Sequence, residues 1–177
     1  MKIKFSIAII LFVFAAQAQA VCKGASCQNK DPKIERCDDG QIVTESYVTT
    51  DGRFVSKSST TAAINIQLKW SPKCQAAWAL MTKKTNSSNI KLGEVRVDAI
   101  DLYGHVLSST PYPNREKASP VSSNMMSRAK ARSDMFSTGG IFYNKNVPSY
   151  ISTSNCRMNE YLSSSAAISR GACVARQ

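Results

Sequence analysis

The stretch Ala62-Ala63-Ile64-Asn65-Ile66-Gln67-Leu68-Lys69-Trp70 decides the fold. Its large apolar residues, Ile64, Ile66, Leu68 and Trp70, take every second position, and Asn65, Gln67 and Lys69 lie between them. Side chains of an extended chain alternate between two faces. The pattern therefore predicts a strand with one face toward a core and the other polar. Working outward, residues 41–49 carry Ile42-Val43-Thr44 and Tyr47-Val48-Thr49, the β-branched and aromatic types that suit a pleated surface. Asp51-Gly52 follows as a tight-turn signal, with a return strand expected over 53–57 and a polar loop or bulge over 58–61.

Downstream, Ser71-Pro72-Lys73-Cys74 breaks the strand. Residues 75–82 fit either two helical turns or a strand through Trp78, Leu80 and Met81. The neighbouring strands favour the strand. Over 94–101, Val95, Val97 and Ala99 point inward, and Glu94, Arg96 and Asp98 form a solvated face. Tyr103-Gly104-His105 reads as a turn returning through Val106-Leu107. A proline-rich loop is expected over 108–123 and a short helix over 124–134. Short strands are expected at Met135-Phe136, at Ile141-Phe142-Tyr143 after Gly139-Gly140, and at Tyr150-Ile151. The best further helix candidate is 158–168. Short strands with closely spaced turns predict a mainly β chain: a small disulfide-bonded sandwich or barrel with one or two short helices.

Residues 1–20 have the three parts of a secretory signal peptide. These are the basic Met1-Lys2-Ile3-Lys4, an apolar run to Ala16 interrupted only by Ser6, and the small-x-small ending Ala18-Gln19-Ala20. Cleavage after Ala20 is expected, leaving residues 21–177 as a single secreted or periplasmic domain with no later membrane-spanning segment. The formal charge is +11 for the full chain and falls to about +9 when Lys2 and Lys4 leave. A positive balance of this size favours an anionic envelope polymer or an acidic protein as partner, with nucleic acid the less favoured polyanion. Arg128, Lys130 and Arg132, together with Arg115 and Lys145, are the candidate anionic-ligand surface. Aromatics near these charges, Tyr103, Tyr112, Phe142 and Tyr143, are better read as core than as a stacking platform.

The six cysteines, Cys22, Cys27, Cys37, Cys74, Cys156 and Cys173, are even in number and lie in an exported chain, which reads as disulfides. A metal site is disfavoured: there is no Cys-x-x-Cys, and the single histidine, His105, is remote in sequence. Cys156 and Cys173 stand apart from the other four and are expected to pair. An antiparallel hairpin turning at Asp51-Gly52 starts just after Cys37 and ends just before Cys74, so its outer ends bring those two together. Cys22 and Cys27 then remain as the third pair.

Catalytic chemistry finds little support. A serine triad needs His105 as its base, and the chain has no Gly-x-Ser-x-Gly elbow. A glycosidase carboxylate pair is not offered by Asp98 and Asp101, whose spacing places them on opposite faces. No cofactor motif is present. The reading is a non-catalytic binding or structural module, and the alternative is a secreted enzyme or toxin acting on an anionic polymer.

The segment Cys22-Lys23-Gly24-Ala25-Ser26-Cys27, then Lys30-Asp31-Pro32, Cys37, Asp51-Gly52 and Leu68-Lys69-Trp70-Ser71-Pro72-Lys73-Cys74-Gln75-Ala76-Ala77-Trp78-Ala79 resembles a bacterial family, domain of unknown function 2690. The resemblance is strongest over residues 22–81. It departs at the extra residues around 58–62 and at Leu80, where a basic residue is common. It implies an exported or extracytoplasmic domain and brings no catalytic residues with it.

Overall fold

The computed structural model describes residues 22–84, 89–101, 103, 105–110, 120–131, 135–153 and 156–157. The expected signal peptide, the 158–168 helix, Tyr112, Arg115, Arg132 and the Cys156–Cys173 pair lie outside what is described. After a 3₁₀ turn at Gly24–Cys27 come β1 (Gln41–Val48), β2 (Phe54–Val55), β3 (Ile64–Ser71), β4 (Ala76–Lys83), β5 (Ile90–Ile100) and β6 (Val106–Ser109). Then follow β7 (Val121–Ser122), β8 (Met126–Ser127), α1 (Arg128–Ala131), β9 (Met135–Asn144), β10 (Val147–Ser152) and β11 (Cys156–Arg157). Among the described residues no helix is long and apolar enough to cross a membrane.

The strands form two sheets. One runs β2-β1-β3-β4-β7, with β8 also on β4; the other runs β10-β9-β5-β6, with β11 also on β9. Every pairing is antiparallel. The expected choice between sandwich and barrel resolves to two sheets, since among the described residues neither closes on itself. The alternation at β3 sets the core as anticipated: Ile64, Ile66, Leu68 and Trp70 are buried against Val95, Val97, Phe136 and Phe142 of the second sheet. Each such side chain contributes about 1.5–3 kcal/mol on leaving water, before entropy is counted. The ambiguous segment 75–82 is strand β4, whose Ala77, Ala79 and Met81 share the β3 core face.

Five expectations are corrected. The Gly139-Gly140 pair does not divide two short strands, because β9 runs unbroken through it. Gly140 pairs with Val95 on one side and Ile151 on the other, so ladders hold it from both edges. A Cβ there would stand 3.1 Å from Met81 Sδ and 3.2 Å from Ile66 Cδ1, so the glycine marks close approach of the two sheets. Asp98 is not on a solvated face. It is 5% exposed, and it accepts hydrogen bonds from Arg96 Nε at 3.0 Å and from Ser109 Oγ. Of the helix expected over 124–134, the described residues show only the four of α1, because Met126-Ser127 pairs with Ala76-Ala77 instead. The return strand at 53–57 is only Phe54–Val55. Of the aromatics assigned to the core, Phe142 is fully buried, Tyr143 is half-buried and Tyr103 is 86% exposed.

Candidate functional site

One end of the sandwich carries an irregular cap built from residues 22–40, the β3–β4 turn and the segment before α1. Local chemistry shapes it. Asp31 Oδ1 accepts the Lys33 N–H at 2.8 Å, the Asx pattern that starts a turn before Pro32. One helical turn follows, with Glu35 N donating to Asp31 O at 3.0 Å and Cys37 N to Pro32 O at 2.9 Å. The Ser-Pro-x-Cys element acquires a mechanism here. Buried Ser71 accepts the Cys74 N–H at 2.9 Å and donates to Asp39, whose other oxygen accepts the Lys73 N–H at 3.0 Å. Gly24 N donates to Cys74 O at 2.8 Å, tying the first loop to this turn. Asn29 N to Met125 O at 2.9 Å and Met125 N to Lys30 O at 2.8 Å tie it to the segment before α1.

Two disulfides fasten these ties. Cys37 joins Cys74 with Cα atoms 5.9 Å apart, and Cys22 joins Cys27 at 5.1 Å. Both pairs are those expected from the hairpin argument. The outer ends are closed by β1 and β3: Gln41 faces Trp70, and each cysteine lies four residues further out. All four cysteines are buried, and they cluster with Ala76, Trp78 and Met125. The sulfurs of Cys22, Cys37 and Cys74 lie within 4.8 Å of one another. With both bonds formed these atoms are not thiolates, the form that ligates metal. The indole of Trp78 closes the cluster, with Gly40 against it and Lys69 Nζ 5.8 Å from its ring centroid.

The outer rim of the cap is cationic. Lys23, Lys30, Lys33 and Arg36 are exposed, and α1 adds exposed Lys130 and half-buried Arg128. The acids interleaved with them are partly engaged: Glu35 faces Lys30 at 3.8 Å, Asp38 faces Lys73 at 3.8 Å, and Asp39 holds the Ser71 turn. Of the expected anionic-ligand surface, Arg128 and Lys130 come to this end, with Arg128 N donating to Gln75 O at 3.4 Å. Lys145 does not join them. Its N–H donates to Asn89 O at 3.1 Å, and Lys83 Nζ reaches Ile90 O at 3.1 Å, which places it at the far end of β4. The length of that strand, on the order of 23 Å, separates the two groups. Charge counting along the chain missed Lys23, Lys33 and Arg36, which are exposed on the cap whose first turn, Gly24–Cys27, packs against α1.

Two further polar groups lie elsewhere. On the outer face of the first sheet, Glu45 accepts from Lys57 Nζ at 2.8 Å and from Gln67 Nε2 at 3.2 Å. Burial raises the Glu45 pKa. Hydrogen bonds from Lys57, Tyr47 and Gln67, with the Lys57 charge, outweigh that and hold it below its ordinary value. Burial and the neighbouring Glu45 carboxylate push the Tyr47 phenol up. Lys84 Nζ sits 4.8 Å from the Tyr47 ring centroid, a cation–π arrangement.

The other group is at the β5–β6 turn. Asp101 accepts the backbone N–H groups of Tyr103 and His105, each at 2.8 Å, and contacts His105 Nδ1 at 2.9 Å. Desolvation raises its carboxyl, and the hydrogen bonds from His105 and Tyr103 together outweigh it and keep the pKa lowered. The imidazole is 77% exposed.

These features define a class: small two-sheet β proteins with a disulfide-stapled cap at one end of the sandwich. The family model described as protein of unknown function, DUF2690, matches residues 25–136, and the chain belongs to that family. The match runs well past residue 81 and takes in Cys27, Cys37, Cys74 and Trp78. No curated protein and no solved structure gives a match.

Proposed function

We propose that this protein is an exported, non-catalytic binding module of the cell envelope, secreted or periplasmic, whose capped end engages an anionic partner. The observation that carries the reading is the gathering of exposed Lys23, Lys33, Arg36 and Lys130 at one end, on a frame held by two disulfides. These cations come from separate stretches of chain. Held in place before binding, they cost the complex less conformational entropy than a flexible basic tail would. The disulfides also favour an oxidising compartment, in keeping with the signal-like residues 1–20.

The test is retention of the exported protein on immobilised polyglutamate in a sodium chloride gradient. Screening by salt releases a charge-driven complex. Lys33→Glu with Lys130→Glu changes the cap. Lys91→Glu with Lys145→Glu makes the same charge change at the far end. The cap variant should elute at clearly lower salt than the far-end variant. Equal shifts for the two would reduce the effect to net charge and remove the site.

The enzymatic alternative rests on one contact, His105 Nδ1 to Asp101 at 2.9 Å, the geometry in which a carboxylate orients a general base. Among the hydrogen bonds described, His105 has none to a serine or threonine hydroxyl. Hydrolysis of an anionic polymer by the wild type that disappears in His105→Ala, with folding unchanged, would replace the binding reading.

A further inference from the structure

The cap holds more sulfur chemistry than stapling needs. The two disulfides span 5 and 37 residues and need not lie side by side to staple the cap. Instead, the Cys22 sulfur lies within 4.8 Å of both sulfurs of the other bond. Thiol–disulfide exchange needs a thiolate near a disulfide sulfur and a leaving sulfur able to take the charge. We propose that the two disulfides form one exchange-coupled redox site, entered by an external dithiol at Cys22–Cys27 and relayed through Cys22 to Cys37–Cys74. This inference stands apart from the anionic-partner reading and uses none of its residues.

The surroundings of the sulfurs set the direction. Cys74 O lies 3.3 Å from Cys27 Sγ, and Glu35 O lies 3.8 Å from Cys37 Sγ. A carbonyl oxygen repels a thiolate and accepts an S–H donor, so it favours the protonated form of its neighbour. Cys22 is also the most exposed of the four at 6%, against 0% for Cys27 and Cys74 and 2% for Cys37.

An external dithiol opens Cys22–Cys27 in two steps. One of its sulfurs attacks Cys22, the most exposed of the four, and Cys27 leaves, takes a proton and hydrogen-bonds to Cys74 O. The dithiol's second sulfur then displaces Cys22 as thiolate. The dithiol leaves as its own disulfide, having delivered two electrons. The Cys22 thiolate next attacks Cys37. The Cys22–Cys37 bond forms, the Cys37–Cys74 bond breaks, and Cys74 departs with the electron pair. No net oxidation accompanies this second exchange. Attack at Cys74 would instead expel Cys37 beside the Glu35 carbonyl, the poorer leaving group. The product is a Cys22–Cys37 bond with Cys27 and Cys74 free.

The experiment treats the wild-type protein with limiting dithiothreitol, traps thiols by acid and alkylation, and maps peptides without reduction. Molecules that have gained two alkylated thiols should include a Cys22–Cys37 peptide with Cys27 and Cys74 alkylated. Finding native pairs alone would overturn the proposal. Two variants sharpen it. Cys27→Ser leaves Cys22 unpaired inside the cluster and should yield Cys22–Cys37 with Cys74 open to alkylation. Cys22→Ser removes the relay sulfur and should keep Cys37–Cys74 intact. If both variants scramble alike, the cause is loss of structure, and the relay assignment fails. If Cys27→Ser does not fold, the wild-type map decides alone.

Discussion

Gly40 lies against the outer edge of the Trp78 indole: a Cβ built on Gly40 would fall 2.0 Å from Trp78 Cη2 and 2.3 Å from Cζ2. No side chain fits between this backbone and the indole. The ring is itself buried in one cluster with the four cysteines, Ala76 and Met125, which limits its room to shift. Gly40→Ala should therefore destabilise the protein by about 1–3 kcal/mol, the usual cost of overpacking. Urea unfolding followed by circular dichroism measures it. In a Trp78→Leu background the same substitution should cost clearly less, and an unchanged cost would move the effect from the ring to the backbone.

The two staples should differ in strength. In the chain-entropy model the stabilisation rises with the logarithm of the loop closed. The Cys37–Cys74 bond, 37 residues in span, should contribute about 4 kcal/mol, and the five-residue Cys22–Cys27 bond about 2 kcal/mol. Paired alanine variants of each bond, compared by denaturant midpoint, check the order. A larger loss from the Cys22 pair would show that cap packing rather than loop closure dominates.

Glu45 should give the acid limb of stability a recognisable part. Its carboxyl pKa is lower in the folded protein, so its contribution is present above the unfolded pKa and fades as pH falls through the folded one. Glu45→Gln should be less stable than wild type at pH 7, and the two should converge well below pH 4, roughly the ordinary carboxylate range. Thermal melts across pH 2–8 would show it. A gap that persists unchanged to the lowest pH would assign the loss to packing instead.

Asp98 should matter through satisfaction of its neighbours. Replacing it with Ala removes the buried carboxylate to which Ser109 Oγ and Arg96 Nε donate. Ser109 is exposed and Arg96 partly so, and water can serve both, so the expected loss is about 0.5–1.5 kcal/mol. Asp98→Asn, which keeps an acceptor oxygen, should recover part of it. The same denaturation series reads both.

Local periodicity by itself determined the β character of this chain. The alternation from Ile64 to Trp70 states which face is buried, because a strand's side chains alternate whatever it pairs with. The Cys37–Cys74 link was equally legible: a turn at Asp51-Gly52 and two strands of known direction bring their outer ends together. The family motif could also be read from residues alone, though its reason, the Ser71 hydroxyl bridging Cys74 and Asp39, could not. Tertiary structure alone decided the meetings between distant segments. Asp98 reads as an outward residue of an alternating strand, and only its pairing between β6 and β9, with Arg96 and Ser109 bonded to it, sets it in a buried place. Gly139-Gly140 reads as a break, and only ladders on both edges make it continuous strand. Lys30 and Met125 lie far apart in sequence and meet because the backbone bonds of Asn29 and Met125 tie the cap to the segment before α1. The third sulfur beside Cys37–Cys74 has no local signal at all. A side chain's alternation is a property of its own backbone, whereas its neighbours across a gap depend on register and packing set by the whole chain.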